Sequence, residues 1–137
     1  MFNQKNTFLK KKRLKNKKRF LKTCINGIIH AKFSLNNTQI TLTDLLGNTK
    51  AWSSCGSMGF KGGKRSSRFS GQLTAENLGY KAKNLGYSKV ILHLNGAGKG
   101  RNVCINGLKK TGVKILIIKD FTSIPHNGCR PQKLRRK

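Results

Sequence analysis

Acidic residues are almost missing from this sequence. Its 137 residues include 30 lysines and arginines but only three acids, Asp44, Glu76 and Asp120, and the formal net charge at pH 7 is +27. A nuclease that uses two metal ions needs several carboxylates converging on the cations, and nothing in the spacing of these three brings them together. A chain this cationic repels itself until a polyanion neutralises it. The composition therefore favours nucleic acid as the partner over a membrane surface.

Two further absences exclude other classes of protein. No apolar run approaches the roughly 18 residues that a membrane-spanning helix needs, so we expect no membrane partner. The four cysteines, Cys24, Cys55, Cys104 and Cys129, contain no Cys-x-x-Cys pair. His126 stands three residues before Cys129, but no second pair completes a zinc site. We predict no metal, and reduced thiols in a reducing compartment.

Two glycine-rich loops come close to nucleotide-binding motifs but do not match them. In the loop at 56–67, Met58 stands where a Walker motif requires glycine, and Arg65 stands where it requires serine or threonine. The loop at 95–101 spaces its glycines one residue short of the dinucleotide fingerprint. We therefore predict no cofactor and no enzymatic activity. The cations in both loops instead indicate contacts with a phosphate backbone.

Positive charge is concentrated at the two ends of the chain. Residues 1–22 are rich in lysine and contain no acid and no serine, which favours an RNA-binding extension over a targeting segment. Residues 121–137 form a second segment, in which Pro125 and Pro131 frame an Asn127-Gly128 turn. We interpret it as a stiff arm for a polyanion. Its cations are Arg130, Lys133, Arg135, Arg136 and Lys137.

Between the arms, hydrophobic periodicity predicts an α/β fold that begins with strands. Residues 24–55 alternate with period two, and Asn36-Asn37 and Gly47-Asn48 supply turn signals between them. This pattern predicts a meander of three antiparallel strands. The mostly apolar run at 88–94 fits a strand that is covered on both faces, and a last strand is expected at 113–119.

Helices are expected at 68–85 and 103–110. Ser66 or Ser67 can cap the first helix, and Gly86 can end it. The residues predicted to form its apolar face are Leu73, Leu78, Ala82 and Leu85. A strand–helix–strand unit crosses over right-handedly between parallel strands. We therefore expect a three-layer α/β sandwich around a mixed five-stranded sheet.

Three segments carry a family resemblance, in the order 55–62 (CGSMGFKG), 95–101 (NGAGKGR) and 124–131 (IPHNGCRP). Together they resemble the small-subunit ribosomal protein eleven family, and the similarity covers about 23–137. The resemblance implies a ribonuclease-H-like fold without the carboxylates of the nuclease. The expected divisions are a basic N-terminal extension at 1–22, an α/β RNA-binding domain at 23–120 and an extended basic C-terminal arm at 121–137.

The resemblance also implies a function, namely that of a structural constituent of the small ribosomal subunit. Such a protein binds rRNA at the platform near the exit site, close to the mRNA path and to neighbouring small-subunit proteins, and it holds no cofactor. Ala97 stands where bacterial relatives tend to have proline, which makes that loop less rigid. The residues that match RNA-contacting positions are Lys61, Lys64, Arg65, Lys99, Arg101, His126, Asn127, Arg130 and Lys133. To these we add the cationic tip, Arg135, Arg136 and Lys137.

Two alternatives to the ribosomal role stay open at this point. A free RNA-binding or RNA-chaperone factor would keep the charge without needing a proline-framed arm, and a nuclease is disfavoured by the missing carboxylates. Lysine exceeds arginine, and asparagine and isoleucine are abundant, as is typical of AT-rich organelle genomes. The expected location is the ribosome of the mitochondrial matrix, with a plastid or the bacterial cytoplasm as alternatives.

We predict partial conversion of Asn127 to isoaspartate. Glycine at 128 does not hinder attack by its own amide nitrogen on the Asn127 side chain, so a succinimide forms readily, and bacterial relatives carry isoaspartate at the matching place. Peptide mass spectrometry of the native protein should find both forms. Recovery of Asn127 in its unmodified form alone would contradict the prediction.

Overall fold

Five strands form one mixed sheet in the computed structural model, which describes residues 26–130 and 132–133. Their order across the sheet is β3-β2-β1-β4-β5. β2 pairs antiparallel with both β1 and β3, whereas β4 pairs parallel with both β1 and β5. The strands are β1 (Asn26–Phe33), β2 (Thr38–Asp44), β3 (Thr49–Ser54), β4 (Lys89–Asn95) and β5 (Lys114–Asp120). The predicted meander and parallel unit are therefore confirmed.

Alternation along β1 and β2 places one side of the sheet in the core. Ile29 and Ala31 are buried, while His30 and Lys32, which alternate with them along β1, are exposed on the other side. Ile29 lies opposite Leu42 in β2 and Leu92 in β4, so the buried side chains of three strands share one face. Burial of this face against the helices supplies the hydrophobic stabilisation of the domain.

Two α-helices follow the meander, α1 (Arg68–Asn84) and α2 (Arg101–Lys110), and a short 3-10 helix (Gly62–Ser66) precedes the first. The hydroxyl oxygen of Ser67 caps α1 by accepting the backbone N–H of Ser70 at 3.1 Å. Gly86, with a φ of 89°, turns the chain out of α1, and the N–H of Tyr87 donates to the carbonyl of Ala82 at 2.9 Å. Both predicted ends of this helix are confirmed.

The buried face of α1 is made largely of small residues, and the predicted leucine face was only partly correct. Leu78 and Ala82 are buried, but Leu73 is only half-buried and Leu85 is exposed. The physical reason is close packing against α2 and the loop before it. A Cβ added at Gly71 would lie 3.1 Å from the Cα atom of Gly100.

Gly79 and Gly107 continue the close contact between the helices. A Cβ added at Gly107 would lie 2.7 Å from the carbonyl oxygen of Gln72, and one added at Gly79 would collide with the side chain of Thr111. Larger side chains would separate the two helices. The helix surfaces therefore approach each other through glycine, as small residues permit.

Both helices cover the same face of the sheet, so the described chain has two layers where we expected three. The buried side chains of α1 and α2 join a single core cluster with those of β1, β2 and β4. The crossovers from β3 to β4 and from β4 to β5 run in the same direction across the sheet. Right-handed crossovers in the same direction place their helices on the same side.

The opposite face of the sheet stays open in the described residues. In β4, Ile91 and His93 are half-buried, and this corrects the expectation that both faces of the strand are covered. The mixed five-stranded α/β fold itself is confirmed, while the name ribonuclease-H-like stays a prediction. No helix in the described ranges is long and apolar enough to cross a membrane. The basic extension at 1–22, Cys24, Pro131 and the tip at 134–137 lie outside these ranges.

We predict that Gly107→Ala destabilises the domain. Alanine raises helix propensity by about 1 kcal/mol, but its methyl group meets the carbonyl of Gln72, which belongs to a rigid helix backbone. We expect a net loss of about 1–3 kcal/mol in the free energy of unfolding, as is usual for overpacking. The measurement is urea unfolding of the full chain.

Gly63→Ala serves as the matched control for this substitution. A Cβ at Gly63 meets nothing within 4 Å, so its unfolding free energy should stay within about 0.5 kcal/mol of the parent chain. If Gly107→Ala is as stable as that control, the close helix packing is wrong.

Candidate nucleic-acid interface

The two glycine-rich loops and the arm, all predicted to bind RNA, leave the same edge of the sheet. β1, β4 and β5 run parallel to one another. β3 runs in the same direction as β1, because both strands pair antiparallel with β2. The loop after β3, the loop after β4 and the arm after β5 therefore start at the same edge, with β2 and β1 between the first loop and the other two segments. We call this the cationic edge, comprising the loops at 55–67 and 95–101 and the described arm residues 121–130 and 132–133.

Backbone hydrogen bonds attach the start of the first loop and the start of the arm to neighbouring strands. The N–H of Cys55 donates to the carbonyl of Thr38 at 3.1 Å, and the N–H of Phe121 donates to the carbonyl of Leu94 at 2.8 Å. Both α-helices also begin at this edge, and neither has an acidic residue in its first turn. The positive ends of the two helix dipoles add to the charge of the side chains.

The first loop presents its three predicted contact residues to solvent. Lys61, Lys64 and Arg65 are all exposed. The Nε–H of Arg65 donates to the carbonyl of Phe60 at 2.9 Å, so the guanidinium folds back along its own loop. The carbonyl of Arg65 in turn accepts the hydroxyl of Ser70 at 3.0 Å, which links the loop to the first turn of α1.

The glycines of the second loop pack against the end of β1. A Cβ at Gly96, whose φ is 94°, would collide with the carbonyl of Phe33, and one at Gly98 would lie 2.5 Å from the carbonyl of Ser34. This loop is therefore shaped by close approach to its neighbours. Lys99 is exposed, and Arg101 is half-buried.

Arg101 joins the second loop to the start of the arm. One guanidinium nitrogen forms an ion pair with the carboxylate of Asp120, and the other donates to the carbonyl of Gly96 at 3.3 Å. The hydroxyl of Thr122 donates to Asp120 at 2.6 Å and accepts the N–H of Gly96 at 3.2 Å. We call these four residues the Arg101 latch. The latch sets the direction in which the arm leaves the sheet.

The Arg101 latch holds Asp120 ionised. The hydroxyl of Thr122, then the guanidinium of Arg101 and the N–H of Thr122, lower the pKa of Asp120 from 3.8 to about 2. Because this pKa is lower in the folded state, the stabilisation is present above about pH 4 and is lost as the pH falls toward 2. Of the nine predicted contact residues that the structure describes, Arg101 is the one paired with a carboxylate.

The arm exposes its predicted contact residues beyond the latch. His126, Asn127, Arg130 and Lys133 are all exposed. Asn127 has a φ of 53°, so the predicted turn is present at that residue. Arg135, Arg136 and Lys137 lie outside the described residues.

The other two acids lie away from the cationic edge and have their own partners. Asp44 pairs with Lys50 at 2.8 Å and accepts the phenol of Tyr87. Glu76 pairs with Lys110 at 3.3 Å. No group of histidines, cysteines and acids within the described chain could hold a metal ion. The three carboxylates do not converge, so the geometry lacks the cluster that two-metal hydrolysis requires.

Sequence reasoning missed a concave site on the open face of the sheet, beside the cationic edge. Its volume is about 410 Å³, and it is lined by His30, Lys32, His93, Asn95 and Phe121, together with Ala31 and Leu94. We call it the open-face notch. The alternation in β1 could have identified it, because His30 and Lys32 fall on the side opposite the core. In β4, the mostly apolar run was interpreted as a strand covered on both faces, so His93 was not recognised as a residue of an open face.

We predict that Thr122→Val raises the pKa of Asp120 toward its ordinary value of 3.8, because it removes the largest cause of the shift. Thr122→Ser keeps the hydroxyl and should leave the pKa near 2. The measurement is an NMR titration of the Asp120 carboxyl carbon. An ordinary pKa for Asp120 in the parent chain would contradict the latch.

Comparison with known proteins identifies the family of the chain. A family model described as Ribosomal protein S11 matches residues 27–136. The chain is 44% identical over 120 residues to the small ribosomal subunit protein uS11 of Methylobacterium radiotolerans, and the alignment covers 88% of this chain and 93% of that protein. The uS11 of Methylorubrum populi gives the same identity and coverage. The chain belongs to the ribosomal protein S11 family.

Proposed function

We propose that the chain binds rRNA at the platform of the small ribosomal subunit, near the exit site, as a structural constituent of that subunit. The observation that carries the proposal is the convergence of the two loops and the arm on the cationic edge. The relatives are named as small ribosomal subunit proteins, and they match nearly the whole folded part of the chain. The S11 family is structural and non-enzymatic, in agreement with the predicted lack of catalysis.

Charge at the cationic edge supports a phosphate-binding role. Its cations face solvent, apart from Arg101, and its carboxylate, Asp120, is already neutralised by the latch. Each cation that reaches a phosphate releases counterions, and this release makes the affinity depend on salt. With about ten contacts to partly single-stranded RNA, the slope of log affinity against log salt would be roughly −7.

We assign different roles to the parts of the edge. Lys61, Lys64, Arg65 and Lys99 bind phosphates from a fixed scaffold, whereas Arg101 holds the arm in position. Beyond the latch, the arm enters the RNA with His126, Asn127, Arg130 and Lys133, followed by Arg135, Arg136 and Lys137. Residues 1–22 form a basic extension that folds on RNA, 23–120 form the RNA-binding domain, and 121–137 form the arm.

The surroundings of the protein follow from the same proposal. At the platform it would contact neighbouring small-subunit proteins and lie close to the mRNA path. The lysine-rich composition supports a ribosome of the mitochondrial matrix, with a plastid or bacterial ribosome as the alternative. The rival is a free RNA-binding factor that acts outside the ribosome.

We predict that the native protein sediments with the small subunit in a gradient at high salt. Ultraviolet crosslinks should join the loops at 56–67 and 95–101 and the arm to platform rRNA, because these segments share one edge. Migration at the top of the gradient, with crosslinks spread over many transcripts, would reject the ribosomal role and favour the free RNA-binding factor.

Paired lysine substitutions test the same edge with purified components. Lys61→Gln with Lys64→Gln should make the salt slope for a platform rRNA fragment shallower by about 1.4, since two contacts to single-stranded RNA are lost. Lys89→Gln with Lys114→Gln is the matched control, because both lysines are exposed at the opposite edge of the sheet. Equal effects of the two pairs would contradict binding through the cationic edge.

A further inference from the structure

We propose that the open-face notch binds one unpaired RNA nucleotide, with the base stacked on His93 and Phe121 and the phosphates held by Lys32 and Lys119. This inference rests on the proposed RNA-binding function and adds to it a second kind of contact, on a different face of the sheet. Apart from Asn95, the residues that form the notch lie outside the three segments that carry the family resemblance, and each belongs to a strand or directly follows one.

The aromatic rings of the notch are already arranged as a platform. The ring centroids of His93 and Phe121 are 4.6 Å apart with a tilt of 55°, and His30 meets His93 edge to face at 5.0 Å. The Phe121 side chain is 55% exposed, so a stacking surface faces solvent. Bases that are splayed out of a helix stack on such rings. A volume of about 410 Å³ is enough for a small ligand.

Hydrogen bonds fix the platform in place. The hydroxyl of Thr43 donates to the carbonyl of Ile28 at 3.3 Å. Its oxygen can therefore accept the Nε2–H of His30, at 3.2 Å. The backbone bond from Phe121 to Leu94 extends the pairing of β5 with β4 and holds the phenyl ring beside His93. Ordered side chains lose less entropy when a ligand binds.

The charge around the notch favours RNA over an apolar protein segment. None of the lining residues carries a carboxylate. Lys32 lies on the rim, and Lys119 lies opposite His93 in the pairing of β4 with β5. Desolvation, followed by the electrostatic effects of His30 and Lys119, lowers the pKa of His93 and so favours the neutral form of its ring. A neutral ring suits the base, and the two lysines suit the phosphates.

The position of the notch also agrees with this occupant. His93 and Asn95 lie at the end of β4, and Phe121 is the first residue after β5, so the notch adjoins the start of the cationic edge. An RNA strand bound along the edge would therefore pass the notch. One base turned toward the sheet would reach the rings while its neighbours stay on the loops.

The test measures binding of the full chain to two fluorescent probes, an adenosine RNA octamer and an abasic octamer with the same phosphates. Phe121→Leu should weaken binding of the adenosine octamer about fivefold or more, the effect of losing one stacked base. Binding of the abasic octamer and the salt slope should stay unchanged. Phe121→Trp should restore binding of the adenosine octamer. Lys119→Gln should instead make the salt slope shallower by about 0.7 for both probes.

Tyr80→Leu is the matched control, because Tyr80 is 57% exposed on α1, on the helix side of the sheet. It should bind both probes as the parent chain does. Thermal unfolding of each variant checks that the fold is kept. If Phe121→Leu binds the adenosine octamer as tightly as the parent chain, the stacking site is refuted while the proposed function survives.

Two other outcomes also decide the matter. If the parent chain binds neither probe nor a platform rRNA fragment, the proposed function fails together with the notch. If Phe121→Leu binds RNA normally but dissociates from small subunits at lower salt than the parent chain, the notch holds a protein segment, and the nucleotide proposal is overturned. In native subunits, a crosslinked nucleotide on the peptide containing Phe121 or His93 would support it.

Discussion

Parallel pairing of β1 with β4 in the middle of the sheet organises the whole domain. It joins the antiparallel meander to the strand–helix–strand unit and makes four of the five strands run the same way. Every long loop that follows one of those strands, and the arm, therefore starts at one edge. A reversal of this single pairing would send the two glycine-rich loops to opposite ends of the domain.

Electrostatics then decides how the common edge is used. Asp44 and Glu76 are paired away from the edge, and Asp120 is held by Arg101 and Thr122 within it. No free carboxylate among the described residues opposes the lysines of the loops. The fold holds its few negative charges in local contacts, and this leaves a surface of one sign for a polyanion. Arg101 shows that a cation in a binding segment can serve the scaffold instead.

The glycines of this chain act mainly through close packing. Gly71, Gly79 and Gly107 let α1 and α2 approach each other, and Gly96 and Gly98 let the second loop lie against the end of β1. A motif search treats the glycines of this loop as a failed nucleotide fingerprint. Close packing explains why glycine stands at Gly96 and Gly98 without any bound nucleotide. A Cβ at either position would lie too close to the backbone at the end of β1.

Features that depend on neighbouring residues could be predicted from the sequence alone. Alternation predicted the strands of the meander, Ser67 and Gly86 marked the ends of α1, and the scarcity of acids predicted a polyanion partner. These are local effects of backbone geometry, capping and net charge, so they can be read without the fold. The resemblance through the segments at 55–62, 95–101 and 124–131 identified the family, which the comparisons confirmed.

Features that depend on residues far apart in the sequence could be recognised only from the three-dimensional fold. The buried face of α1 was misjudged because its contacts are with α2, and the number of layers was misjudged because the direction of both crossovers sets it. Arg101 meets Asp120 across 19 positions of the chain, and His30 meets His93 across a parallel strand pair. No local pattern encodes such meetings, since each requires strand order and register to be settled first.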